Sequence, residues 1–217
     1  MMIEFKTCSK NFVERLIDIQ PEGNNTRFLN SAHSLWYRFK NYESNPAFVM
    51  FDDEEPVALI FATRSKRSRY VNLYEIVTLE GKEGNGYASQ VWSEYMKDAF
   101  MNGMERLKIS CTPSSVTWHM RNGLIFWGVD PSGSLRSDQP LFPTREEQVE
   151  FRDRAIKDPT IALPDAKVCE KLKTEGLHDH GFGSKKMLKT EEAIISVGQY
   201  WLRDALFVNQ SSLEGFF

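Results

Sequence analysis

Two kinds of residue in this chain can do chemistry, and they lie a few positions apart. Glu75 sits between Tyr74 and Ile76 inside an otherwise apolar run, Val71 to Leu79. A carboxylate there lies either on a solvent face or in a cleft. Burial in a cleft would raise its pKa and suit it to accept a proton near neutral pH. Just beyond, Gly84-Asn85-Gly86 leads into Tyr87-Ala88-Ser89. Glycines let a backbone approach a ligand closely and take positive φ. A strand, a glycine turn and a helix start together present N–H groups and the positive end of a helix dipole, which suits a phosphate or pyrophosphate. The plain alternative is a strand-to-helix turn that binds nothing. The turn is not the dinucleotide fingerprint, since GxGxxG is absent, and not a Walker A loop, since no Gly-Lys-Ser/Thr follows.

The elements that must position these residues can be read from periodicity. Ile3 to Thr7 alternate as a first strand, and Ser9 can cap a helix through Phe12, Val13, Leu16 and Ile17. Pro21-Glu22-Gly23-Asn24-Asn25 breaks it, and a second helix is expected over Arg27 to Lys40. Ala47 to Phe51 and Val57 to Ala62 flank a polar turn and predict a β-hairpin; Val71 to Leu79 follows as a third consecutive strand. From Tyr87 the period becomes 3.6, with Val91, Trp92, Tyr95, Met96 and Ala99 on one face, and Asn102-Gly103 ends that helix. Leu107 to Cys111 reads as a strand, Ser114 or Ser115 caps a short helix ending near Asn122-Gly123, and Leu124 to Val129 reads as another strand. Past Pro131 the texture changes to polar helical stretches, about Arg145 to Lys157, Asp165 to Thr174 and Lys185 to Val208. The organisation expected is a core over residues 1–135 and a mostly helical extension over 136–217 packing on it.

Bulk properties narrow the classes. The chain has 217 residues, 41% hydrophobic and 26% charged, which is ordinary globular composition. A net charge of −3 argues neither for nor against a nucleic-acid partner, so local clusters must decide. Cys8, Cys111 and Cys169 are far apart and odd in number, which reads as free thiols in a reducing compartment; Cys111 reads as a small core residue. No secretory h-region and no run of 18 apolar residues is present, so a cytoplasmic protein without a membrane span is expected. Arg64, Lys66, Arg67 and Arg69 make a basic turn that either contacts polyanionic phosphates or is simply solvated. His178 and His180 lie two apart and share no helix face, and no third ligand stands at zinc spacing, so no metal is expected.

The order strand, helix, helix, three strands, glycine turn, helix, strand, helix, strand resembles the GNAT family of N-acetyltransferases over residues 1 to about 130. The family motif Gln/Arg-x-x-Gly-x-Gly/Ala corresponds here to Gly81-Lys82-Glu83-Gly84-Asn85-Gly86. Its glycines match, while Gly81 replaces the Gln or Arg. The later family landmark, Tyr followed at a distance by Gly-Phe, corresponds to His119-Met120-Arg121-Asn122-Gly123-Leu124, and the family's Asn at the start of that helix to Thr112.

The resemblance implies an α/β fold with a mixed, mostly antiparallel central sheet flanked by helices. It implies acetyl-CoA as acyl donor and an amine as acceptor, the amine attacking the thioester directly in a ternary complex. Ile76, Val77, Thr78 and Leu79 would contact pantetheine by strand addition. Gly84, Asn85, Gly86, Tyr87, Ala88 and Ser89 would hold the pyrophosphate, with Lys82 supplying charge in place of the missing side chain at 81. Glu75 is the candidate base, with Glu80 the alternative. His119 stands where the family places a proton-donating Tyr; an imidazole can fill that role, or water does. Two rivals stay open: a transferase of the same fold acting on DNA bases or RNA, favoured by the basic turn, and a non-catalytic CoA-binding or interaction module, favoured by the departures at 81 and 119. Acceptor identity, acyl group and oligomeric state are left open.

Overall fold

The computed structural model describes residues 2–112, 115–126, 128–129 and 134–157. Expectations for the two later helices, the histidine pair and Cys169 lie outside the described residues. The chain divides into two compact units, one over residues 1–105 and 141–144, the other over 106–140 and from 145 onward.

The first unit is built on an antiparallel sheet of β1 (Ile3–Cys8), β2 (Ala47–Asp52), β3 (Glu55–Ser65) and β4 (Tyr70–Thr78), each pairing with the next. Asp53 and Glu54 both take positive φ, 48° and 69°, as a two-residue primed turn between β2 and β3 requires. Helix α1 (Lys10–Ile19) starts where Ser9 Oγ accepts the Phe12 N–H at 3.4 Å. Helix α2 (Asn24–Arg38) starts before the expected Arg27, and the reason lies outside the helix. Gly23 offers no capping side chain, and Glu80 caps α2 from a distance instead.

One sheet face carries Val49, Leu59, Phe61, Val77 and Leu79 against Val13 and Leu16 of α1 and Leu29, Ala32 and Trp36 of α2. Trp36 and Leu29 are fully buried, and each such side chain contributes roughly 1.5–3 kcal/mol. Helix α3 (Tyr87–Met101) covers the other face, its Tyr95 ring edge-on to Phe48 at 5.3 Å.

In the second unit β5 (Arg106–Cys111) pairs antiparallel with β7 (Leu135–Pro140), and β7 with the two-residue β6 (Gly128–Val129). The strand expected over 124–129 is thus confined, among its described residues, to β6 and a bridge at Phe126. Leu124, Ile125 and Phe126 are all buried, and the Ile125 N–H donates to the Gln139 side-chain oxygen at 2.6 Å rather than to a ladder. Strand β7 is not predicted by patterning, because Ser137, Asp138 and Gln139 are polar yet buried. Helix α4 (Val116–Arg121) ends at Gly123, whose φ is +83° and whose absent Cβ would meet the Gln148 carbonyl carbon at 2.5 Å. Helix α5 (Arg145–Lys157) spans the range periodicity predicts.

Candidate functional site

Glu75 owes its position to a β-bulge. Phe61 pairs with Glu75 and Ala62 with Leu73, so Tyr74 has no partner across the ladder. An extra residue re-aims the side chains beside it. Glu75 has the register of Val77 and faces the α1–α2 side; Tyr74 packs on that side too, edge-on to Trp36 at 5.4 Å between ring centres. Two adjacent side chains thereby share one face. Burial pushes the Glu75 carboxyl above its ordinary pKa, and a hydrogen bond from the Ile76 N–H partly offsets the rise. The result is a half-buried carboxylate with an incentive to take a proton.

The direction of the Ile76 N–H follows from the ladder. Leu79 N–H donates to Val57 O at 2.9 Å, so the main-chain groups of Val77 and Glu75 also face β3. Those of Ile76 and Thr78 face away from it. Of the four residues Ile76, Val77, Thr78 and Leu79, two therefore turn their peptide groups outward. Val77 and Leu79 are buried with theirs committed to β3.

The glycine turn follows. Gly84 and Gly86 take φ of +81° and +75°, and a Cβ on Gly84 would meet nothing within 4 Å. The glycine at 84 is thus required by backbone conformation, and its surroundings are open. Gly86 is the N-cap of α3; no side chain caps that end and its first turn carries no acidic residue. The first intrahelical acceptor, Gly86 O, takes N–H groups from Ser89 and Gln90, both at 3.1 Å. The N–H groups of Tyr87 and Ala88, one and two residues past the cap, are the orphan donors of the helix end. The Asn85 amide ties the turn by donating to Lys82 O and Glu83 O.

Carboxylates surround this turn, yet each is engaged. Glu80 accepts from the Asn25 N–H at 3.0 Å and the Thr26 N–H at 3.4 Å, the start of α2. The Asn25 side chain donates to Glu83. A Cβ at Gly23 would fall 2.0 Å from the Glu80 carboxylate, so a side chain there would have to push the Glu80 cap aside. Glu80 is accordingly a helix cap, which the sequence could have signalled only through the bare N-cap at Gly23. The Tyr87 hydroxyl donates to Asp52 at 2.6 Å. Lys82 pairs with Glu55 at 2.8 Å, so its ammonium already faces a carboxylate.

The other sequence candidates fall elsewhere. His119 lies inside the second unit, 7% exposed, edge-on to Trp118, with Nδ1 buried and unpartnered. Burial pulls its pKa down to about 4, so the imidazole is neutral at pH 7. Cys111 is buried and its thiol pushed up to about 12, which removes it as a nucleophile. The basic turn is partly spent internally: Arg64 pairs with Asp98 at 2.7 Å and donates to the Tyr95 hydroxyl, while Arg69 pairs with Glu105. Lys66 and Arg67 stand exposed. Among the described residues no group of three potential metal ligands is gathered, and no helix is long and apolar enough to cross a membrane.

Comparison with known proteins gives a family and a fold. A model of the acetyltransferase (GNAT) family matches residues 13–121. Among solved structures, a point variant of spermidine N-acetyltransferase SpeG from Vibrio cholerae superposes with a TM-score of 0.50 at 9% identity, covering 69% of this chain and 97% of the other. PaiA N-acetyltransferase from Thermoplasma acidophilum, crystallised with coenzyme A, gives 0.49 at 14% identity, covering 64% and 99%. An acetyltransferase from Thermus thermophilus gives 0.49 at 16%, covering 65% and 98%. At these identities the likeness concerns the fold. No curated protein matches the sequence.

Proposed function

The chain belongs to the GNAT acetyltransferase family, and on that premise we propose that it transfers an acetyl group from acetyl-CoA to an amine, with Glu75 as the base. The observation that carries the reading is the junction of β4 and α3. The strand that holds a desolvated carboxylate runs straight into a glycine turn and an uncapped helix N-terminus whose first turn lacks acidic residues. Such a terminus favours an anion by both its N–H donors and its dipole.

Bound acetyl-CoA supplies the acyl group as a thioester, open to attack by the amine nitrogen with loss of the thiolate. The residues of this chain do the rest. Tyr87 and Ala88 N–H groups, with Gly84 and Gly86 permitting close approach, bind the pyrophosphate. The outward carbonyl of Ile76, whose N–H is held by Glu75, and the outward peptide groups of Thr78 hold the pantetheine arm as an added strand. Glu75 takes the amine's proton, directly or through a water, and the carboxyl's raised pKa makes it a stronger base than an exposed glutamate. His119, neutral at pH 7, has no imidazolium proton to give, which favours solvent as the proton source for the departing thiolate.

The test is calorimetric titration with acetyl-CoA, free CoA and desulfo-CoA. Saturable binding that disappears in Gly86→Val supports the reading. No binding of any of the three overturns it.

A further inference from the structure

Helix α3 lies along β2 and touches it at both ends. Val49 and Phe51 of β2 turn toward α1 and α2, so the alternating residues Phe48, Met50 and Asp52 face α3. Tyr95 meets Phe48 edge-on, and the Tyr87 hydroxyl donates to Asp52 Oδ2 at 2.6 Å. The spacings agree, since eight helical residues rise about 12 Å and four strand residues about 13 Å. Asp52 is a firm anchor. It pairs with Ile3 on one side and Glu55 on the other, and leads into the tight turn at Asp53. That turn is itself tied to Met2, whose carbonyl accepts the Asp53 N–H at 3.0 Å and whose N–H donates to Asp53 Oδ1 at 2.7 Å. Asp52 Oδ1 is buried without a hydrogen-bond partner, so among the described residues the carboxylate relies on the Tyr87 hydroxyl as its donor. The other end of the bond is loosely built. Gly81, Gly84 and Gly86 all take positive φ, and Gly86 gives α3 no side-chain cap. A helix end of that kind frays unless something outside it holds the first turn. The hydrogen bond to Asp52, then lost water and the charges of Asp52, Glu55 and Asp53, push the Tyr87 phenol above its ordinary pKa, so it keeps the proton it donates.

We propose that Asp52 and the Tyr87 hydroxyl form a positioning pair, which holds the first turn of α3 to the end of β2 and so sets the Tyr87 and Ala88 N–H groups for the pyrophosphate of acetyl-CoA. This rests on the acyltransferase reading above and adds to its donor site a carboxylate that touches no ligand. By charge alone, a carboxylate one tyrosine side chain away from an anion site opposes binding. Water and salt screen that repulsion, whereas the hydrogen bond acts directly on the residue that carries the donor.

The experiment is calorimetric titration with acetyl-CoA of the wild-type chain, Tyr87→Phe, Asp52→Ala, Asp52→Asn and the double variant Tyr87→Phe, Asp52→Ala. Thermal melts fix a temperature at which each is folded, so that affinity is read apart from stability. Tyr87→Phe keeps the ring and should raise Kd about tenfold, the worth of one hydrogen bond to a charged group. Asp52→Ala should do the same, and the double variant should bind no worse than the weaker single one, because both remove one bond. Asp52→Asn keeps an oxygen to accept from the phenol and should stay within about threefold of wild type. A lowered melting temperature in Tyr87→Phe with Kd unmoved assigns the pair to the fold alone and overturns the inference. Losses that multiply in the double variant, to about a hundredfold, overturn it too, since the two residues would then act separately. Asp52→Asn as weak as Asp52→Ala would make the charge the cause in place of the bond, and also overturns it. In each of these cases acetyl-CoA still binds the wild-type chain and the acyltransferase reading stands. Failure of acetyl-CoA to bind the wild-type chain removes that reading, and this inference with it.

Discussion

Glu75 in the first unit and His119 in the second are changed by one physical cause with opposite consequences. Both lose water, and desolvation moves each toward its neutral form. For a carboxyl this means a raised pKa, and the ionised form becomes a better base. For an imidazole it means a pKa near 4, and the charged form that could donate a proton is gone at pH 7. The surroundings differ as well. Glu75 sits on a bulge beside a half-exposed tyrosine and receives a main-chain N–H. His119 is packed into a core with an unpartnered Nδ1. Burial by itself therefore does not mark a working residue; what matters is whether the form it favours is the form the chemistry uses.

The largest effect is expected at the N-terminus of α3 in the first unit. Gly86→Val forces a β-branched residue to φ near +75° at the α3 N-cap. Calorimetry should show acetyl-CoA affinity falling by about a hundredfold or more, with circular dichroism little changed. Glu75→Gln comes next. Loss of the proposed base should lower kcat by about 10²–10⁴. The same change should raise the melting temperature at pH 7. The folded carboxyl titrates above its unfolded value, so ionisation disfavours the fold as pH climbs through the interval between the two, and a glutamine escapes that penalty.

The histidine sharpens the contrast from the other side. His119 titrates near pH 4 when folded against about 6.5 when unfolded. The unfolded chain takes up the proton first, so stability falls as pH drops from about 6.5 toward 4, by about 3 kcal/mol in all. Urea midpoints across that range should show the loss, and His119→Phe should lack it while keeping kcat within about threefold at pH 7. The smallest effect is expected at Glu80. Glu80→Ala removes the remote cap on α2 and should lower stability by about 1 kcal/mol in urea titration.

How much was legible in the sequence follows the same division. Helix α3 was plain because Val91, Trp92, Tyr95, Met96 and Ala99 keep a 3.6 period, all of them buried. The hairpin of β2 and β3 and the span of α5 were equally plain from local patterning. The glycine turn was readable because Gly84 and Gly86 stand at a strand–helix junction. What escaped was set by distant partners. The start of α2 depends on Glu80, fifty-five positions from Asn25 along the chain. Strand β7 is polar in sequence and buried in fact, held by Gln139 hydrogen bonds to Gly123 and Ile125. The bulge at Tyr74 leaves no mark in composition, yet it sets where Glu75 points. Placing His119 by its motif position gave no warning that its surroundings would keep it neutral, since desolvation is a property of the packed core.

The most direct test of the central claim is the pH dependence of kcat for acetyl transfer in the wild-type chain and in Glu75→Gln. The wild type is expected to show an acidic limb with an apparent pKa above the ordinary glutamate value, and Glu75→Gln a slow, pH-insensitive rate. An acidic limb that survives the substitution at near-normal rate would show that the proton goes elsewhere, and would contradict it.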